Sequence, residues 1–345
     1  MNKVEKEDVQ AIMNVIDREA FRGTTTLVTG ATGSLARYIV HSLMELFHTT
    51  EDRNGRVIVL SRSHKKIEDA FFDYLNDKQF QIIEGSVENL TCDQIEGSLD
   101  YIFHAACNSS TAYFSTNPTE ILSANVIGTY QLLELARIKR IRGFLFFSSG
   151  AAYGGANVWG SYSGVDPTAP HNCYVIGKQA GENFCSAFFH EYGVPTKIVR
   201  IAYTYGPHID LNDGHLYSDL IKSVIDYKDI YIKGNPKKYM RLLYVTDAVR
   251  AFFLIMQNGE EMVPYEVYNL TEVMTIEDIA KMLTEVTFKE RGLRYRKKTD
   301  GVEDELIKVF PENIAKLNLK PHISLSEGMK RSVMSIELNS IHGSM

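Results

Sequence analysis

Cysteine is scarce, with four in 345 residues. Cys92, Cys107, Cys173 and Cys185 make no C-x-x-C pair and no ligand-like cluster with histidine, which argues against structural zinc and a disulfide framework and fits a reducing cytoplasm. Nor is there any run approaching the roughly 20 apolar residues that a membrane span needs. The opening MNKVEKEDVQ is too charged for the apolar stretch of a signal peptide, so a soluble, unprocessed, cytoplasmic chain is expected. An excess of one charge sign is missing as well. Lys and Arg total 37 against 43 Asp and Glu, a net charge of -6, which points away from nucleic-acid and membrane partners and toward a small molecule. Histidines such as His104, His171, His208 and His215 offer no ligand pair on one helix or hairpin, so no metal site is expected. Internal repeats and low-complexity segments are absent.

What is present suits a full α/β core with room for a second, smaller lobe: 44% hydrophobic and 23% charged residues. Val9, Ile12, Met13 and Ile16 recur at helical spacing, predicting an amphipathic helix on the outside of the main domain. From Thr25 onward apolar strands (TTLVTG, RVIVLS, FQIIEG, DYIFHAA, GFLFFSS, PTKIVRIAY) alternate with amphipathic helices. Helices are predicted near Ile121 to Arg140 and from about Tyr174 to Tyr192. The alternation means a doubly wound parallel sheet of Rossmann type with about six strands. Beyond Tyr205 turn residues cluster and short strands such as YEVYNL appear, and most of this is assigned to a mixed α/β substrate cap. The expected division is 1–23 for the outer helix, 24–202 with 243–271 for the Rossmann domain, and 203–242 with 272–335 for the cap.

Directly after the first strand, Thr29-Gly30-Ala31-Thr32-Gly33-Ser34-Leu35-Ala36 forms a G-x-x-G-x-x-A turn that opens into a helix. Glycines there let backbone approach a pyrophosphate, and a helix N-terminus supplies unpaired N–H groups, so a dinucleotide site is read here. The second strand ends in Ser61-Arg62-Ser63, followed by His64, Lys65 and Lys66, where an acid for the adenosine ribose is usual. Arg62 either receives a 2′-phosphate, which favours NADP over NAD, or is a solvated loop residue.

Tyr174 and Lys178 stand four residues apart and share a helix face. A Ser-rich strand end, Phe147-Ser148-Ser149-Gly150-Ala151-Ala152-Tyr153-Gly154, precedes them. The ordered segments TGATGSLA, DYIFHAA, NVIGTYQLLELA, FFSSGAAYG, YVIGK, RIAYTYGP and RLLYVTDAV together resemble the NAD-dependent epimerase/dehydratase family of extended short-chain dehydrogenases over nearly all of residues 25 to 335.

That resemblance implies an enzyme acting on a nucleotide-diphosphate sugar. Tyr174 would be the general base and acid, with a pKa brought from about 10 toward neutrality. Lys178 would supply the positive charge and hold the nicotinamide ribose, and Ser149 would hydrogen-bond the reacting oxygen. The dinucleotide would touch Gly30, Thr32, Gly33, Ser34, Leu35, Arg62, Ser86, Val87, Ala105, Ala106, Asn125, Tyr174 and Lys178. His104 reads as a packed strand-end residue beside it. Substrate would meet Ser109, Tyr203, Leu216, Tyr217 and Arg241, the last through its diphosphate; a surface salt bridge is the alternative for Arg241, and a core role for Leu216 and Tyr217. The resemblance also implies a homodimer joined by the helix after Pro118 and the helix carrying Tyr174.

Departures from the family pattern narrow the reaction. Members that dehydrate or decarboxylate place acids right after the catalytic Ser or Thr, whereas this chain has Gly150 and Ala151. Ser86 replaces an acid that meets adenine, and Tyr203 replaces an asparagine that touches diphosphate, either offering a phenol to substrate or packing. What survives is redox chemistry at one carbinol, expected at C4: an epimerase first, an NADPH-dependent ketosugar reductase second. A dehydratase or decarboxylase stands lower, as does a non-catalytic NADP(H) sensor, against which the intact Ser149, Tyr174 and Lys178 argue.

Overall fold

The computed structural model describes residues 1–154, 162–304, 312–317, 319 and 321–342. The chain begins with α1 (Lys3–Met13) and then enters the sheet through β1 (Thr25–Thr29), all five residues of which are buried. There follow α2 (Ser34–Thr49), β2 (Arg56–Ser61), α3 (His64–Phe71), β3 (Phe80–Glu84) and β4 (Tyr101–His104). A π-helical turn, Ser123–Gly128, joins α4 (Pro118–Leu122) to α5 (Thr129–Lys139), and β5 (Gly143–Ser149), α6 (Cys173–Tyr192) and β6 (Thr196–Ile201) complete this half. Later come α7 (Leu216–Ile225), α8 (Val245–Asn258), β7 (Pro264–Val267) and α9 (Leu325–His342).

The strands form one parallel sheet in the order β7-β6-β5-β4-β1-β2-β3. It has seven strands, not about six. The seventh, β7, pairs with β6 and comes from the YEVYNL region, which lies in the 243–271 segment assigned to the Rossmann domain but is not counted among its strands from sequence alone. The order reverses between β1 and β4, so a crevice opens at the carboxyl ends of the strands there, the usual place for a ligand in an open α/β sheet.

Alternation along β5 builds both cores. Phe144 and Phe146 face the layer of α5 and α6, with Leu132, Leu133 and Phe188. Leu145 and Phe147 face the layer of α2 and α8, with Leu43, Val249 and Phe252. Helix α6 sits unusually close to the sheet. A Cβ at Gly181 would lie 2.3 Å from the Phe146 ring, so a glycine is what lets this helix, and the residues one and two turns before it, approach β5.

Helix α1 covers α2 and α8, with Val9, Ile12, Met13 and Ile16 buried as the spacing predicts. It also carries a buried carboxylate. Asp8 accepts hydrogen bonds from Tyr38 (3.0 Å), Tyr244 (2.8 Å) and the Arg331 guanidinium of α9 (2.8 Å).

Candidate active site

At Gly30 the backbone turns with φ +64, and a Cβ would lie 2.9 Å from the backbone of Ala105 and Ala106. Only glycine tolerates both the conformation and the approach. Gly33 then begins α2 without any side-chain cap, which leaves the first-turn N–H groups open to an anion. These features fit a dinucleotide pyrophosphate. A cavity of about 360 Å³ runs from this turn, past Thr32, Ala105 and Ala106, to Arg62, Ser86 and Val87. A second cavity, about 650 Å³, adds Ser34 and Leu35. Of the expected cofactor residues on these elements only Asn125 stays out of the lining. It is buried in the π-turn, donating to the Ile121 carbonyl (2.8 Å) and to the Cys107 sulfur (2.9 Å).

At the far end of the first cavity Arg62 is not the free cation that a 2′-phosphate would want. Its guanidinium pairs with Glu120 of α4, whose other oxygen accepts the Tyr113 hydroxyl. The hydrogen bond to Glu120 raises the Arg62 pKa, while those from Tyr113 and then Arg62 lower that of Glu120. Glu88 lines the same cavity.

A third cavity, about 450 Å³, collects Ser149 from β5 and Tyr174 and Lys178 from α6, together with Ser109, Tyr203 and Tyr217. The Tyr174 ring is stacked on Phe114 with centroids 4.7 Å apart. Burial pushes the Tyr174 phenol upward, a neighbouring Cys107 charge adds to that, and a hydrogen bond with Ser149 pulls it back. Burial likewise lowers the Lys178 pKa. Its ammonium donates to the Phe147 carbonyl (2.7 Å) and lies 5.6 Å from the Tyr174 ring centroid. His104 is a packed strand-end residue, as expected. Its ring nitrogens meet the Thr29 and Thr129 hydroxyls, each at 3.0 Å, and burial, reinforced by Lys178, pushes its pKa down to about 3, so it stays neutral.

Two expected substrate residues lie elsewhere. Leu216 packs at the edge of the core, at the start of α7. Arg241 stands outside all three cavities: it lies over the Tyr268 ring (5.6 Å) and donates to the Asn269 carbonyl (3.3 Å), a contact that neither the diphosphate nor the salt-bridge reading anticipates.

The structure also reveals polar residues that the sequence reading missed. Arg200 of β6 is 4% exposed and donates to both oxygens of Glu182 (2.9 and 2.6 Å). Glu182 also accepts the Ser148 hydroxyl (2.5 Å). Arg200 further meets Tyr162 and lies 3.7 Å from Glu266, which accepts the Tyr153 hydroxyl. Two signals pointed here: Glu182 extends Tyr174 and Lys178 by one more turn, and Arg200 interrupts an otherwise apolar strand, which demands a buried partner.

Among the described residues no group of His, Cys, Asp and Glu is arranged to hold a metal, and no helix is long and apolar enough to cross a membrane.

The family model for the NAD dependent epimerase/dehydratase family matches residues 26–271. UDP-glucuronic acid decarboxylase 1 of Arabidopsis thaliana is 27% identical over 314 residues, 89% of this chain and 68% of that protein. The UDP-glucose 4-epimerase of Thermotoga maritima, solved with UDP-glucose, superposes with a TM-score of 0.72 at 24% identity, covering 92% of this chain and 100% of that one. The UDP-glucuronic acid 4-epimerase of Bacillus cereus, solved with UDP-glucuronic acid and NAD, gives 0.74 at 19% identity, covering 91% and 99%.

Proposed function

The chain belongs to the NAD dependent epimerase/dehydratase family, and from that premise we propose that it is a nucleotide-diphosphate-sugar epimerase acting at C4 through a 4-keto intermediate. The observation that carries the reading is the third cavity. It gathers Ser149, Tyr174 and Lys178, and none of its described lining residues is a carboxylate. Dehydration or decarboxylation draws on a further acid and base. Oxidation and reduction at one carbinol do not.

A bound nicotinamide supplies the acceptor and donor of hydride at that carbon. Tyr174 takes the proton from the C4 hydroxyl as the alcohol becomes a ketone, and returns it when the ketone is reduced on its other face. Lys178 stabilises the phenolate by its charge, against the upward push of burial on Tyr174. Ser149 hydrogen-bonds the same oxygen in both states. Gly30 and the open N-terminus of α2 hold the pyrophosphate.

The expectation of NADP rested on a free Arg62. With Glu120 bound to that guanidinium and Glu88 nearby, a 2′-phosphate would enter beside two carboxylates, and we read the site as one for NAD. Segments 203–242 and 272–335 form the substrate cap in this reading. Exposed Ile127, Tyr130, Ile138, Phe189 and Tyr192 on α6 and on the helical run from the π-turn through α5 support a homodimer across those helices. Light scattering that gives a monomer at micromolar concentration would remove the dimer.

The test of function is to identify the dinucleotide released on denaturation and to incubate intact protein with nucleotide sugars, no cofactor added. Retained NAD with a 4-epimer appearing is the expected result. An empty protein that turns over only 4-keto sugars with NADPH would make it a reductase instead.

A further inference from the structure

We propose that Glu5 of α1 is a positioning residue for the dinucleotide: through His208 it holds the loop that walls the pyrophosphate end of the second cavity. This rests on the reading of Gly30, Gly33 and the open start of α2 as the place of the pyrophosphate. Helix α1 lies ahead of residues 26–271, the part matched to the family. The loop between β6 and α7 brings His208, Ile209, Asp210 and Asp213 to the wall of the cavity that Gly30, Gly33 and Ser34 also line.

Three polar contacts latch this loop to other elements. Ser34, the first residue of α2, donates its hydroxyl to the Pro207 carbonyl (2.8 Å), and Ser110 donates its own to the Asp213 carbonyl (3.1 Å). The third comes from α1: His208 Nε2 lies 2.9 Å from Glu5 Oε1. His208 has particular need of an anchor. Its φ of +66 is in the left-handed region, which a residue with a Cβ keeps only where its surroundings impose it.

Glu5 is itself firmly held. It is buried, and its carboxylate also accepts from the side chains of Asn2 (2.9 Å) and, on α9, Asn339 (2.9 Å) and Ser335 (3.3 Å). Burial pushes the Glu5 carboxyl upward, but the hydrogen bond and charge of His208, then the hydrogen bonds of Asn339 and Asn2, bring it well below the usual range. One ionised side chain thus joins the first helix, the last helix and the loop beside the pyrophosphate. Asp8, one turn later, ties α1 to α2 and α9, yet its partners Tyr38, Tyr244 and Arg331 lie outside the loop.

The anchor has a definite sign. As a bare negative charge, Glu5 would repel a diphosphate, and its neutralisation would tighten binding. As the anchor of His208, its loss frees the loop and loosens binding. Substituting His208 by glycine separates the possibilities again, because glycine accepts a positive φ without strain. A loop limited by strain would close more tightly, and a loop limited by its anchor would open.

The experiment loads intact protein with NAD, or with NADP if NAD does not bind, and follows release by exchange against an excess of the isotopically labelled dinucleotide, with melting temperatures recorded alongside. Glu5→Gln and His208→Gly should each release it about tenfold faster, the scale of one lost charge-assisted hydrogen bond. The double variant should release it no faster than His208→Gly alone. Asp8→Asn should lower the melting temperature and leave release unchanged. Equal or slower release from Glu5→Gln, effects that multiply in the double variant, or equally fast release from Asp8→Asn would each overturn the proposal. Should Glu5→Gln fail to fold, His208→Gly decides: faster release upholds the anchor, and equal or slower release overturns it. If the unsubstituted protein binds neither dinucleotide, the reading of the glycine turn falls and the anchor with it; if it binds one and Glu5→Gln releases it at the same rate, the anchor alone falls.

Discussion

Ser148 and Ser149 are neighbours at the end of β5 and both line the third cavity, yet their hydroxyls take different partners. Ser148 donates to Glu182 in a cluster that also holds Arg200, Glu266 and Tyr153. Ser149 pairs with Tyr174 in a cavity of aromatic rings and hydroxyls, with Lys178 and the His215 imidazole its only basic side chains among the described lining residues. Charge is concentrated where it ties α6 to β6 and kept away from where a sugar would react. Paired charges fix a geometry because separating them is expensive. A cavity without them leaves a keto intermediate few strong anchors, which suits a reaction that needs the ring to present its other face.

That contrast is open to direct attack. Tyr174→Phe should reduce turnover about a thousandfold while dinucleotide binding stays measurable by calorimetry; substantial residual activity would mean the cavity is not the reacting side. Arg200→Met should cost about 3–5 kcal/mol in denaturant unfolding, because Glu182 and Glu266 would remain buried without their cation. Adding Glu182→Gln to it should recover part of the loss, and failure to do so would reduce the cluster to ordinary packing.

His104 gives a smaller effect with a definite sign. Folding lowers its pKa from 6.5 to about 3, so the unfolded chain takes up a proton below pH 6.5 that the folded chain refuses. Its contribution is complete above pH 6.5 and is lost as the pH falls toward 3, by about 2 kcal/mol between pH 6.5 and 5. His104→Gln should flatten that part of the stability profile. The smallest shift is expected at the adenosine end, where Glu120→Gln would release Arg62 and raise the NADP-to-NAD affinity ratio roughly five- to tenfold. No change in that ratio would show that the ion pair does not govern the choice.

Periodicity made most of the fold legible. Short apolar runs with helices between them marked β1 to β6 in order, and the glycine turn and the Tyr174–Lys178 spacing located two ends of the site because each is a local pattern. Contacts across long separations were not legible. Arg62 and Glu120 are 58 positions apart, so the neighbour that alters the meaning of the arginine lay beyond any local motif. Strand β7 was hidden for a related reason: it is four residues long, begins with proline and is flanked by turns, and only its place beside β6 makes it part of the sheet. Arg241 sat in a segment that resembles the family well, but a motif fixes where the backbone goes and leaves a long side chain free to turn onto Tyr268.

Asp8 meets Arg331 across 323 positions of sequence, and Tyr244 across 236. During synthesis at roughly 5–20 residues per second, the α1 carboxylate would wait roughly 15–65 s for its guanidinium to leave the ribosome. Until then the apolar stripe of Val9, Ile12 and Met13 can dock on α2 while the charge beside it is still solvated. The first helix made is thus among the last to be locked, and a nascent chain short of α9 carries an unpaired acid at the seam that chaperones would meet.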